Sequence, residues 1–203
     1  MSQYFVMHAS HPQPRLLKQA VDIVRDGGLV VYPTDTTYAL GCHIGDKAAL
    51  DRIRQVRRLD KHHHFTLTCR DLSEVATYAR VEKASYRILK HYTPGPFTFL
   101  LPATREVPRR LVHPKRKTIG LRVPGSTIAL ALLEVLDEPM MTTTMRLPDH
   151  ELPFTDAQEI RDVVEGVVDL VIDGGHCGVT ATTVVDLTAL QPSVIRQGLG
   201  SFD

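Results

Sequence analysis

The run Val30-Val31-Tyr32-Pro33-Thr34-Asp35-Thr36-Thr37-Tyr38-Ala39-Leu40-Gly41 constrains this chain most, because an apolar stretch turns at a proline into hydroxyls and one carboxylate. The apolar part reads as a buried strand, Leu29 to Tyr32. Pro33 suits its last position, since proline has no N–H to donate and holds its predecessor extended. Three threonines, Tyr38 and Asp35 then offer donors and acceptors without bulk, and the carboxyl end of an α/β strand is where ligands usually bind. A polar loop capping the next helix would look the same, and the segment alone leaves both readings open.

The flanking chain alternates helix and strand signals. Residues 3–8 read as a short strand, and Arg15 to Asp26 as a helix whose Leu16, Leu17, Ala20, Val21 and Val24 recur at helical spacing, stopped by Gly27-Gly28. Asp46 is an N-cap for a helix through Arg58, with Ala49, Leu50, Ile53 and Val56 on its apolar face. Phe65 to Cys69 alternates like a strand, and Asp71 to Tyr78 and Glu82 to His91 read as helices. Phe97 to Pro102 and Thr118 to Val123 are strands, Ser126 caps a helix through Leu136, and Met140 to Thr144 is a further strand. Thr155-x-x-Gln158 has the form of a capping box for a helix to about Glu165. Strands at Val167 to Ile172, Thr182 to Leu187 and Ser193 to Arg196 follow in succession, so strict βαβ alternation fails and a mixed sheet is expected.

One domain over residues 1–203 is the expectation for this length. No segment approaches the ~20 apolar residues of a membrane span, and the first residues lack the pattern of a signal peptide, which points to the cytoplasm. Cys42, Cys69 and Cys177 are an odd, widely spaced set, so reduced thiols are expected and neither a disulfide framework nor a zinc site. Consecutive strand residues face opposite sides, so His62, His63 and His64 cannot all turn to one metal. The net charge of +1 conceals segregation. Arg105, Arg109, Arg110, Lys115, Arg116, Lys117 and Arg122 face the single acid Glu106, whereas from Asp149 to Asp169 the sign reverses, with Asp149, Glu151, Asp156, Glu159, Asp162, Glu165 and Asp169 facing one Arg161. A basic face of this kind suits phosphates or nucleic acid, or is merely solvated.

Arg122, between Leu121 and Val123 on an apolar strand, needs an anion. Either an aspartate pairs with it internally, or its planar fork grips a ligand phosphate or carboxylate. Arg196 has the same two readings. Thr142-Thr143-Thr144 fits a strand by β-branching and also suits phosphate oxygens. No Walker loop, Gly-x-Gly-x-x-Gly or Gly-x-Ser-x-Gly occurs, so a nucleotide here would be held by scattered strand-end residues.

As an ordered set, Tyr32 to Gly41, Arg122-Val123-Pro124, Thr142 to Thr144 and Val194-Ile195-Arg196-Gln197-Gly198 resemble the YrdC/YciO family, most closely its YciO branch, over nearly the whole chain. The resemblance implies an α/β fold, a twisted mixed parallel and antiparallel sheet with helices on its faces and a deep, positively charged cleft. It implies a threonylcarbamoyl-adenylate synthase, a nucleotidyltransferase that joins L-threonine, bicarbonate and ATP and releases pyrophosphate, in service of tRNA threonylcarbamoyladenosine. ATP is then a substrate, and magnesium the expected ion. By position, Pro33 and Thr34 line the nucleotide and threonine site, Thr36 and Tyr38 lie near the amino acid, and Arg122 meets a carboxylate or phosphate. Thr142 and Thr144 lie near the phosphates, Arg196 by the nucleotide, and Arg57, Arg58 and Thr144 at catalytic positions. The synthases carry Lys-x-Arg where this chain has Arg57-Arg58-Leu59, and Ser-x-Asn where it has Thr144-Met145-Arg146; Arg58, Lys61 and Arg146 are candidates to restore the displaced charge. The competing reading is a module that binds double-stranded RNA or tRNA through Arg109, Arg110, Lys115, Arg116 and Lys117. A third keeps the cleft and changes the reaction to hydrolysis or transfer of another acyl-adenylate.

Overall fold

The computed structural model describes residues 1–60 and 63–203. In chain order its elements are β1 (Gln3–Val6), α1 (Pro14–Arg25), β2 (Val30–Pro33), β3 (Tyr38–His43), α2 (Lys47–Arg57), β4 (Thr66–Thr68), α3 (Leu72–Tyr78) and α4 (Lys83–Tyr92). There follow β5 (Phe97–Pro102), β6 (Thr118–Arg122), α5 (Thr127–Leu136), β7 (Met140–Thr144), α6 (Ala157–Val164), β8 (Leu170–Asp173), β9 (Thr183–Asp186) and β10 (Ser193–Arg196). All ten strands join one sheet in the order β1-β8-β2-β3-β7-β4-β6-β5-β9-β10. The pairs β1–β8, β2–β8, β4–β6 and β5–β9 are parallel and the others antiparallel, which is the mixed sheet expected. Among the described residues, no helix is long and apolar enough to cross a membrane.

Three local readings need correction. Sequence reasoning missed β3, which pairs with β2 in a hairpin closed by Thr34 to Thr37. Five of its six residues are buried, so no alternation of apolar and polar marks it. The expected capping box fails because Asp156, one residue after Thr155, accepts from the Gln158 and Glu159 N–H groups and is the N-cap of α6. β8 begins at Leu170 rather than Val167, since the N–H groups of Val167 and Val168 both turn back to the Val164 carbonyl. The caps at Asp46 and Ser126 form as expected, each accepting from the N–H three residues on.

The sheet has two unlike faces. Across six strands, Cys42, Met141, Leu67, Leu121, Phe99 and Val185 stand in register and are buried. Ala49, Leu50 and Ile53 of α2, Val75 of α3, Leu89 of α4 and Ala157, Ile160 and Val164 of α6 belong to the same cluster. Each buried Leu, Ile, Val, Phe or Met among them contributes roughly 1.5–3 kcal/mol on burial. The neighbouring row, which faces the other side, reads Gly41, Thr142, Thr66, Gly120 and Leu100. Helices α1 and α5 cover part of this face, packing on Val30, Tyr32, Ala39, Met140, Leu170 and Ile172. Beyond them, over β7, β4, β6, β5 and β9, the face opens into the cleft.

The seat of α5 on β2 depends on Gly174. A Cβ there would come within 2.4 Å of Ile128 Cδ1 and 2.7 Å of Pro33 Cγ. Gly174→Ala is therefore expected to lower stability by about 1–3 kcal/mol through overpacking. Adding Ile128→Val, which removes the nearer clashing methyl, is expected to recover part of that loss in urea unfolding.

Candidate functional site

The cleft holds about 630 Å³, within the range of small-molecule sites. Its floor follows from strand periodicity, since residues two apart share a face. Thus Thr66 and Thr68 of β4, Gly120 and Arg122 of β6, and Thr142 and Thr144 of β7 all turn into it. Thr68 Oγ1 and Thr142 Oγ1 lie 2.8 Å apart, and Thr142 Oγ1 donates to the Thr66 carbonyl at 3.2 Å. Tyr32 sits fully buried beside those hydroxyls, and burial pushes its phenol up to about 12, so it stays protonated.

The hairpin loop forms one wall. Thr34 Oγ1 donates to the Thr37 carbonyl at 2.6 Å and accepts from the N–H groups of Thr36 and Thr37 at 3.2 and 3.3 Å, a closed hydroxyl turn. Arg122 Nη2 donates to Asp35 Oδ1, to Thr36 Oγ1 at 3.0 Å and to Thr34 Oγ1 at 3.5 Å. Both readings of Arg122 therefore meet in one residue: it is paired internally with Asp35, and it lines the cleft. The side chains are 10% and 17% exposed. The contact is single-pronged, for Arg122 Nε and Asp35 Oδ2 are buried without a hydrogen-bond partner.

The structure brings together Thr34, Thr36, Arg57, Arg122, Thr142, Thr144 and Arg196 on the cleft lining. Arg196 Nη2 donates to the Thr182 carbonyl at 2.9 Å and hydroxyl at 3.3 Å, and burial lowers its pKa. Pro33 and Tyr38 stand behind the lining. Pro33 abuts α5 through the Ser126 hydroxyl, which donates to its carbonyl at 3.1 Å. Tyr38 is buried and donates to the Gly175 carbonyl at 2.6 Å.

Arg58 has left-handed backbone as the C-cap of α2 and forms an exposed ion pair with Asp149 at 3.3 Å, off the cleft lining. Arg109, Arg110, Lys115, Arg116 and Lys117 lie exposed in the connection from β5 to β6, also off the lining. Arg110 reaches the Gly45 carbonyl, and Arg116 pairs with Asp186 at 3.7 Å. Lys61 and His62 lie outside the described residues.

Sequence reasoning singled out none of Thr66, Thr68 and Thr98 as lining. The signal was present for β4: Thr66-x-Thr68 repeats the x-Thr-x-Thr pattern of Thr142-x-Thr144 on a neighbouring strand. The thiols of Cys42 and Cys69 are raised by burial, and Cys177 to about 11, so none is a ready nucleophile. Among the described residues, no three His, Cys, Asp or Glu side chains cluster to hold a metal.

Removing one member of the Arg122–Asp35 pair leaves the other charge uncompensated. Asp35→Ala is expected to cost about 2–4 kcal/mol in urea unfolding, near the lower end for buried pairs because both groups keep some exposure. Asp35→Ala with Arg122→Met is expected to be more stable than Asp35→Ala alone.

The Sua5/YciO/YrdC family profile, described as telomere recombination, matches residues 22–198. The uncharacterized protein YciO of Escherichia coli K12 is 54% identical over 200 residues, 98% of this chain and 97% of that one. The crystal structure of E. coli YciO aligns with a TM-score of 0.95, covering 99% of this chain and 98% of its own. The threonylcarbamoyl-AMP synthase of Pyrococcus abyssi is 28% identical over 184 residues, 90% of this chain and 54% of the synthase, so the chain spans about half of that enzyme. P. abyssi Sua5 complexed with L-threonine aligns at 26% identity with a TM-score of 0.89, covering 97% of this chain and 58% of Sua5. With most of its length matched by the family profile and an ordered motif set on one cleft, the chain belongs to the Sua5/YciO/YrdC family.

Proposed function

We propose that this single domain is a cytoplasmic threonylcarbamoyl-AMP synthase, which joins L-threonine, bicarbonate and ATP and supplies the tRNA threonylcarbamoyladenosine modification. The observation that carries the reading is the convergence of Arg57, Arg122, Arg196 and the threonines of the hairpin loop and β7 on one cleft. The likeness to Sua5 complexed with L-threonine supports it.

In this reaction the threonine amine adds to bicarbonate with loss of water, and a carbamate oxygen attacks the α-phosphorus of ATP. The bond to the β-phosphate breaks and pyrophosphate leaves. Two anions must approach, so cations fixed before substrate arrives lower the barrier. Arg122, held by Asp35 and two hydroxyls, is such a cation. The hydroxyls of Thr142 and Thr144 face the phosphates, and Pro33 and Tyr38 hold the wall in shape from behind. Magnesium fits as an ion that arrives on the phosphates, because the lining offers hydroxyls and Glu151 rather than a carboxylate cage. Its charge would offset that of the phosphates.

Pyrophosphate release with all three substrates, together with threonylcarbamoyl-AMP measured by mass spectrometry, tests the reading. The wild type is expected to exceed a folded Arg122→Ala variant by about 10²-fold or more. Equal release by both proteins would overturn it.

A second reading, binding of double-stranded RNA or tRNA, is favoured by the exposed placement of Arg109, Lys115, Arg116 and Lys117 outside the cleft. It predicts binding that weakens steeply with salt, with a log–log slope that shrinks by about one for each phosphate contact removed. A Lys115→Gln, Arg116→Gln, Lys117→Gln variant with unchanged affinity and slope would exclude it.

A further inference from the structure

Beside α6 lies a second hollow of about 500 Å³, a groove lined by Leu152, Pro153, Phe154 and Val163 and by the acids Glu159 and Asp162. It meets the cleft at Leu152 and Pro153 and is otherwise separate from it. Leu152 is 63% and Val163 44% exposed. Helical spacing sets the arrangement. Ala157, Ile160 and Val164 turn to the core, so Glu159, Asp162 and Val163, three and four positions apart, share the outward face. Arg161, the cation of this helix, is drawn over the Tyr4 ring at 5.1 Å, and His176 pairs with Asp156 at 3.5 Å. Among the described residues, neither Glu159 nor Asp162 forms an ion pair.

The opposite chemistry is presented by two turns held side by side. In the connection from β5 to β6, His113 Nδ1 accepts from the N–H groups of Lys115 and Arg116 at 3.2 and 3.0 Å, and the Lys117 N–H donates to the His113 carbonyl at 2.9 Å. This closed turn leaves Lys115, Arg116 and Lys117 exposed. In the turn from β9 to β10, the Thr188 N–H and hydroxyl donate to Asp186 Oδ1 at 2.8 and 2.6 Å, and Leu190 beyond them is 98% exposed. Arg116 pairs with Asp186 at 3.7 Å and so joins the two turns. Lys115 and Lys117 form no ion pair among the described residues. The groove belongs to α6, which packs on β8 towards one edge of the sheet, and the turns belong to β5, β6, β9 and β10 towards the other. Among the described residues, no hydrogen bond or ion pair joins groove and turns within the chain.

We infer that the chain associates head to tail with a second copy of itself, Leu190 of one copy seating in the α6 groove of the next with Lys115 and Lys117 beside Glu159 and Asp162. A lone exposed leucine needs no partner, but here an apolar knob flanked by cations matches an apolar groove flanked by acids. The leucine leaves water against Leu152, Pro153, Phe154 and Val163, and the lysine stems cover apolar surface around it while their charged ends reach the acids. Opposite charge across the contact sets the register and speeds encounter more than it adds affinity. Any basic peptide would satisfy the acids, yet the knob and its cations would then stay unoccupied, whereas a second copy fills both surfaces. Knob and groove are different patches, so the contact is heterologous: each pair leaves one of each free, and further copies extend it into a ring or a chain. The contact is small, so association is expected only at high protein concentration. It lies outside the reaction proposed above and holds whichever chemistry the cleft performs.

Sedimentation velocity on the full chain, treated with nuclease so that no nucleic acid bridges the copies, tests the inference. Wild type is expected to shift from monomer to larger species as protein rises from about 0.02 to about 1 mM. It is expected to shift back as sodium chloride rises from about 0.05 to about 0.5 M, which shortens the screening length about threefold. Leu190→Asp, and separately Glu159→Lys with Asp162→Lys, are each expected to remain monomeric throughout. All three positions are exposed, so the urea midpoints of both variants are expected to match the wild type. Mixed in equal amounts, the two variants are expected to form a heterodimer and nothing larger, because one keeps the groove and the other the knob. The inference would be overturned by a wild type still monomeric at about 1 mM. Variants that associate as the wild type does, or a mixture that stays monomeric, would overturn it equally.

Discussion

The register between neighbouring strands is the constraint on which everything else depends. Side chains alternate strictly along a strand, so one offset decides for β3, β7, β4, β6 and β5 together which residues meet the apolar helices and which meet the cleft. Leu67 and Thr66 are adjacent in the chain, yet one is fully buried in the core and the other lies on the lining of the cleft. The apolar row from Cys42 to Val185 supplies much of the burial that fixes the offset. The hydroxyl row has no such drive of its own and inherits its position.

Within that frame, the Arg122–Asp35 pair joins the end of β6 to the hairpin loop after β2, elements far apart in sequence. A buried ion pair is often no more stabilising than an apolar contact of the same volume. Its retention on a cavity wall, with one prong of each fork unused, fits a group positioned for a ligand better than one serving stability alone. The contrast with Arg57 and Arg146 is physical. Arg122 carries its own counter-charge, while among the described residues the other two lie on the lining with no ion pair.

Much of the fold was legible because its signals are local. Proline at the end of β2, aspartate and serine caps, and apolar spacing along α1, α2 and α5 each act within a few residues. β3 was not legible, because a strand buried on both faces shows neither alternation nor the run length of a helix. The start of β8 was misplaced because Val167 and Val168 have strand-forming side chains while their N–H groups serve a turn at the end of α6. At the site, the residues with evident chemistry stood out: Arg122, Thr142 to Thr144, and the Thr34 loop. Thr66, Thr68 and Thr98 did not, since a threonine in a strand has a sufficient local explanation and only the pairing of strands gathers them. The partner of Arg122 was likewise invisible, because Asp35 lies 87 positions away.

The threonine floor also bears on how such a site can change over time. Its residues are side chains of interior strands, so a substitution alters one point of the surface and leaves the rest in place. An insertion or deletion of one residue in β4, β6 or β7 would exchange the two faces along the rest of that strand, sending leucine or methionine into the cleft and threonine into the core. The cleft is therefore open to revision residue by residue and closed to changes of length. The connection from β5 to β6 is bound by no such rule: outside its buried Val107 and Leu111, a change of length there exchanges no strand faces.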